Sequence, residues 1–161
     1  YKINIQNGEL LKTTSKSREN VYQLGAMYST DILELNISTK YFSEEKTLSS
    51  AYSTGYALVE GLSKIASIKR DDLDIFVKII GDMISIYIFD NVPGGAGHTY
   101  KVFDFSELKY KQWFVLSLQK IDNCQCGLDS SCFKCLQSRS NQRFHDKLER
   151  GLAIEFLNKF K

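Results

Sequence analysis

The chain has 161 residues, a formal charge of +2, 43% hydrophobic and 25% charged residues. This is the size and balance of one ordinary globular domain, able to bury roughly 70% of its unfolded surface without covalent staples. No apolar run nears the roughly 18 residues of a membrane span and the start does not read as a signal peptide, so no membrane partner is expected, and reduced thiols in a cytoplasmic setting are expected.

In chain order, residues 1–30 are the hardest to assign. YKINIQ has strand character, and NGELLKTTSKSREN reads as turn and loop. From Thr30 to Ile37, Leu33, Leu35 and Ile37 alternate with Ile32, Glu34 and Asn36, the period of a strand. The period then changes. Leu48, Ala51, Tyr52, Gly55, Leu58, Val59, Leu62 and Ile65 recur at helical spacing, which predicts a helix from about Glu44 to Ile68 with its apolar face on a sheet. Gly55 and Gly61 weaken such a helix, a cost that close packing offsets.

LDIFVKII and MISIYIFD follow, joined by Gly81 and Asp82; two β-branched runs around Gly-Asp read as a hairpin. Asp104 with Glu107 three residues on forms a capping box and predicts a helix running to about Asp122. Phe144, Leu148, Leu152, Phe156 (or Leu157) and Phe160 mark a last amphipathic helix, with His145 at its start. The expected fold class is α+β: a small, mostly antiparallel sheet packed by three helices, with a cysteine loop before the C-terminal helix. Residues 1–161 are expected to form a single domain. A chain that opens at Tyr1 is expected to be excised from a longer protein.

All four cysteines lie in CQCGLDSSCFKC: Cys124, Cys126, Cys132 and Cys135. Disulfides between such close neighbours are geometrically awkward, and an iron–sulfur cluster or free thiols are the remaining alternatives. The C-x-C and C-x2-C pairs instead bring four thiolates onto one tetrahedral Zn²⁺, with the segment around Gly127 as a flexible return. Four sulfurs leave no open coordination position, so the zinc is expected to be structural. The C-x-C pair departs mildly from the commoner C-x2-C spacing.

PGGAGH follows a strand and invites a phosphate-cradle reading, but it lacks the lysine of a P-loop and the spacing G-x-G-x-x-G. The simpler reading is a tight turn in which Gly94, Gly95 and Gly97 reach positive φ, with a backbone nest for a DNA phosphate as the alternative. His98 ends that loop. It and His145 are candidates for ligand, general base or structural histidine, and a four-thiol site needs neither. From Cys132 to Lys161, seven basic residues face three acidic ones, a local +4 that phosphates would favour and that a solvated helix face also explains.

YIFDNVPGGAGHTY followed by CQCGLDSSCFKCLQSRSNQRFHDKLER resembles the zinc-binding domain at the C-terminal end of mitomycin repair factor (MrfA-type) DNA helicases. The same domain occurs in helicase-associated proteins of the DISARM and Druantia antiphage systems. The shared pattern falls on Asp90, Pro93, Gly94, Gly95, Ala96 and Gly97, on the four cysteines, and on Asn141, Gln142, His145, Leu148 and Arg150. The resemblance covers about residues 30–157, and the first thirty match nothing recognisable.

It implies a module without the motor's ATP site. The four cysteines would be zinc ligands, and Gln142 and His145 would brace the zinc loop by hydrogen bonds. The helicase core, in the same chain or a partner subunit, would be the neighbour. DNA would be bound weakly by the isolated domain, and no small-molecule substrate is expected. Lys134, Arg139, Arg143 and Arg150 are DNA-contact candidates on charge alone, and Arg150 is also a candidate for a role inside the fold. Two further readings stand beside this one. A pure protein-interaction module would show an exposed apolar patch. An enzyme would need Asp90, His98 and His145 to converge in a pocket.

Overall fold

The computed structural model describes residues 2–3, 10–11, 29–102 and 107–160. Strands β1 (Lys2–Ile3) and β2 (Leu10–Leu11) pair antiparallel. The main sheet contains β3 (Ile32–Ser38), β4 (Leu73–Ile80) and β5 (Met83–Asp90), all antiparallel, in the order β3-β5-β4. The β4–β5 hairpin has the expected ends, and Gly81 takes the positive φ of +54° that its two-residue loop requires.

Helix α1 (Thr47–Ala66) lies on one face of this sheet. Leu33, Ile75, Val77, Ile84, Ile86 and Ile88 point to it and are buried. A Cβ at Gly55 would come within 2.6 Å of Ile75 Cδ1, so the missing side chain is what lets α1 sit this low on the sheet. The expected amphipathic helix is therefore buried on more than one side. Helices α2 (Glu107–Asp122) and α3 (Arg150–Asn158) pack against α1 and against each other, covering its back. Trp113, fully buried, donates from Nε1 to the Leu58 carbonyl at 2.7 Å. Phe42 stacks on Phe156, with centroids 4.8 Å apart. The sheet, α1 and the α2–α3 pair thus form successive layers. The capping box expected at Asp104 lies outside the described residues.

Gly61 sets the spacing of α1 and α2. An added Cβ would meet Ser117 Oγ and would lie 2.9 Å from both Ser117 N and Trp113 O. Helix propensity favours alanine over glycine by up to about 1 kcal/mol, but backbone atoms cannot swing aside. Gly61→Ala is expected to destabilise the chain by up to about 2 kcal/mol, the net of that gain and an overpacking cost of about 1–3 kcal/mol. Urea denaturation measures it, and a stabilised variant would mean that the two helices separate freely.

One expectation is corrected. The last helix does not begin near Phe144. Gln142–Lys147 form a 3-10 turn, Glu149 is extended (φ −120°, ψ 119°), and α3 starts only at Arg150. Phe144 and Leu148 mimic helical spacing because both are drawn inward: Phe144 stacks on Tyr52 at 4.1 Å, and Leu148 is buried.

Candidate metal centre

The cysteine loop leaves α2 at its C-terminus, where Cys124 N donates to Ile121 O at 3.3 Å. It then tightens around the Cys132 carbonyl, which accepts the backbone N–H groups of Cys135, Leu136 and Gln137 at 3.0, 3.2 and 3.0 Å. The backbone N–H of Cys132 points to Cys135 Sγ at 3.2 Å. This turn brings the four sulfurs together, all within 4.8 Å of one another. The closest separations are 3.5 Å (Cys124–Cys126), 3.4 Å (Cys124–Cys132), 3.6 Å (Cys126–Cys135) and 3.9 Å (Cys132–Cys135).

These values decide between the two chemistries of a four-cysteine cluster. A disulfide needs about 2.05 Å. Four sulfurs at about 2.3 Å from one tetrahedral ion stand about 3.8 Å apart. The cluster fits the ion, and all four cysteines are free of disulfides. As thiols they titrate unequally. The backbone N–H of Cys126 is the main influence drawing Cys124 down to about 7, whereas burial pushes Cys126 and Cys135 up. A divalent ion overrides such differences by taking all four as thiolates.

The loop is tied to the last helix by three devices. Leu128 and Ser130 offer carbonyls to the first N–H groups of α3, at 2.7 Å from Gly151 N and 2.9 Å from Arg150 N, which satisfies donors that a helix start leaves orphaned. A Cβ at Gly151 would come 2.8 Å from the Leu128 oxygen. Arg150, 7% exposed, sends its guanidinium to the carbonyls of Ile121, Asp122 and Cys126 at 3.1, 3.5 and 2.6 Å. It joins the end of α2 to the cysteine loop, where a cation also suits the helix dipole. Arg150 is therefore a brace inside the fold, and the DNA-contact expectation for it is withdrawn.

His145 acts on the exit of the loop. Its Nε2 lies 2.9 Å from both Ser138 O and Asn141 Oδ1, two acceptors, so Nε2 carries the proton. Its ring meets Phe133 edge-on at 5.4 Å. Asn141, fully buried, also accepts from Ser138 N at 2.8 Å and donates to Leu136 O at 2.9 Å. Gln142 is exposed and its side chain makes no hydrogen bond among the described residues, so the bracing foreseen for it falls to Asn141. Arg70 adds a strut from outside the loop. Its Nη1 reaches Ser138 Oγ at 2.6 Å and Ser140 Oγ at 3.1 Å, while Nε pairs with Glu60 at 3.2 Å. Burial pushes the Glu60 carboxyl up, against the pull of Lys120 and Arg70.

The glycine loop is a nest whose anion belongs to the protein. Asp90, 0% exposed, accepts from Ala96 N and His98 N at 2.8 Å and from Thr99 N at 3.0 Å. Asp31 takes Gly97 N at 3.0 Å. Gly94, Gly95 and Gly97 all have positive φ, and a side chain at Gly95 would strike Asp31. The phosphate alternative therefore fails, because the donors already face carboxylates. Among the described residues no hydrogen bond or ion pair links the side chains that an enzyme reading would bring together. Asp90 gives both oxygens to backbone, no hydrogen bond or ion pair joins His98 to His145 among the described residues, and His98 meets Asp90 only through its own N–H. Lys134, Arg139 and Arg143 are exposed, and Arg143 lies over the Phe144 ring at 4.7 Å.

The family model of the MrfA Zn-binding domain matches residues 54–136, more than half of the chain, from the middle of α1 through all four cysteines. The chain belongs to this family. Its cofactor is structural zinc, and the closed set of four thiols suits that role. Among solved structures, this chain is similar in fold to part of the crystal structure of the DUF1998 helicase MrfA bound to DNA. The TM-score is 0.51 and the identity 17%, over 74% of this chain and 15% of that one. The chain therefore spans a small fraction of the helicase it resembles. No curated protein sequence matches it.

Proposed function

We propose that residues 1–161 are one zinc-stabilised accessory domain of an ATP-dependent DNA helicase, or of a helicase-associated protein, acting in the cytoplasm in DNA repair or antiphage defence. Cys124, Cys126, Cys132 and Cys135 hold one structural Zn²⁺, which fixes the loop between α2 and α3. The domain buttresses the helicase core and adds a weak hold on DNA through exposed cations that include Lys134, Arg139 and Arg143. The observation carrying this reading is the tetrahedral spacing of the four sulfurs inside a matched zinc-binding family. The similar helicase fold, solved with DNA, supports the partner.

Fluorescence anisotropy of a labelled oligonucleotide with the zinc-loaded chain tests the DNA arm. Weak binding is expected, with log K falling against log salt by about 0.7–0.9 for each phosphate contacted. The double variant Arg139→Glu, Arg143→Glu should weaken it at least several-fold. Unchanged retention would remove these two arginines from the interface.

A second reading, docking without DNA contact, is favoured by one feature. The sheet face away from α1 carries Ile32, Phe76, Ile80 and Met83, all exposed, and a shallow groove of about 420 Å³ lined partly by Tyr87 and Phe89. No measurable oligonucleotide binding at low salt would leave this reading standing alone.

A further inference from the structure

An open cleft of about 900 Å³ lies beside the cysteine loop. One side is built from the C-terminal turns of α1 and α2, which supply Lys64, Gln119, Lys120 and Asn123. The other is the loop itself, with Gln125, Phe133 and Lys134. Among the described residues, no carboxylate lines it. Four thiolates around a Zn²⁺ would carry −2, and Lys120 also faces Glu60 Oε2 at 3.8 Å, so the three lysines balance these charges. Neutralising the thiolates accounts for lysines but not for Phe133, which is 64% exposed at the rim beside Lys134. His145, itself fixed by Asn141 and Ser138, meets that ring edge-on and restrains it. Cations, amide donors and one restrained, exposed aromatic ring are the equipment of a site for unpaired nucleotides. Bases in a duplex are already stacked and cannot reach such a ring.

We propose that this cleft binds a single DNA strand, with phosphates on Lys64, Lys120 and Lys134 and an unpaired base stacked on Phe133. This rests on the DNA reading above and deepens it by naming the strand state and the residues.

The probe is labelled oligothymidylate, with a duplex of the same length, read by anisotropy on the zinc-loaded chain. Phe133→Ala should weaken oligothymidylate about tenfold, within the range for loss of one base–aromatic stack, and leave the duplex unchanged. Lys64→Glu should weaken the single strand at least threefold and flatten its salt slope by about 0.7. Lys78→Glu, on the far face of the sheet, is the control for net charge. Phe133→Trp should preserve binding, with the new indole emission quenched on addition of oligothymidylate. Zinc content of each variant checks that the loop is intact.

Equal losses from Lys64→Glu and Lys78→Glu, or oligothymidylate affinity unaffected by Phe133→Ala, would overturn the site while leaving the DNA reading intact. Displacement of oligothymidylate by polyglutamate at matched charge would overturn it too, as a general anion surface. An absence of any DNA binding by the unmodified chain would overturn both.

Discussion

Cys132→Ser is expected to abolish zinc binding and to unfold the segment from the end of α2 through α3. Metal analysis should fall from one equivalent to near zero, and circular dichroism should lose the helical signal of α3. The size of the effect follows from two magnitudes. Zinc binding contributes roughly 10–16 kcal/mol in small zinc domains, while whole domains are stable by only about 5–15 kcal/mol. The geometry says where the loss is felt. Cys132 supplies a sulfur within 3.4 Å of Cys124 and the carbonyl on which three N–H groups converge. Without the ion, Leu128 and Ser130 are no longer held against the start of α3, and Arg150 loses its Cys126 acceptor. The sheet keeps its packing on α1 and should persist, while α1 loses the cover that α3 gives its back. A strong chelator added to the unmodified chain should reproduce the phenotype. A serine variant with full α3 signal and an unchanged melting curve would show the metal to be dispensable.

Asp90→Asn is expected to cost about 3–5 kcal/mol. Hydrogen bonds to a charged group contribute about 1.5–3 kcal/mol each, and three backbone donors converge on this carboxylate in a fully buried position. An amide keeps one acceptor and turns an NH₂ toward another donor, so at least one buried N–H is left unpaired. Urea denaturation measures the loss, with Asp82→Asn in the exposed hairpin loop as a control that should shift by no more than about 0.5 kcal/mol. A change at position 90 as small as that control would mean that the glycine loop rests on its turn geometry alone.

The parts legible from sequence are those whose cause is local. The hairpin was readable to the residue because two β-branched runs flank a glycine that needs positive φ. The cysteine cluster was readable because one short loop holds every thiol. What escaped depends on which groups meet. The same PGGAG string would serve a bound phosphate or an internal carboxylate, and only the fold places Asp90 and Asp31 under its N–H groups. Charge counting treats Arg150 and Arg139 alike, although one is sealed against three carbonyls and the other is in solvent. Asn141 stood in the shared motif without a role, because its three hydrogen-bonding partners come together only when the chain turns back on itself. Phe144 and Leu148 had helical spacing, but that spacing equally suits a 3-10 turn followed by an extended residue.

The bare hydrogen at position 61 has a reach beyond packing. Lys64 stands almost one turn past it on α1, and Lys120 stands three residues past Ser117 on α2, so this close approach of the helices lies just before the two lysines that line the cleft. That pinch works like the pivot of a pair of dividers. Any wedge at the pivot would spread the tips, changing the distance between two positive charges without touching either of them.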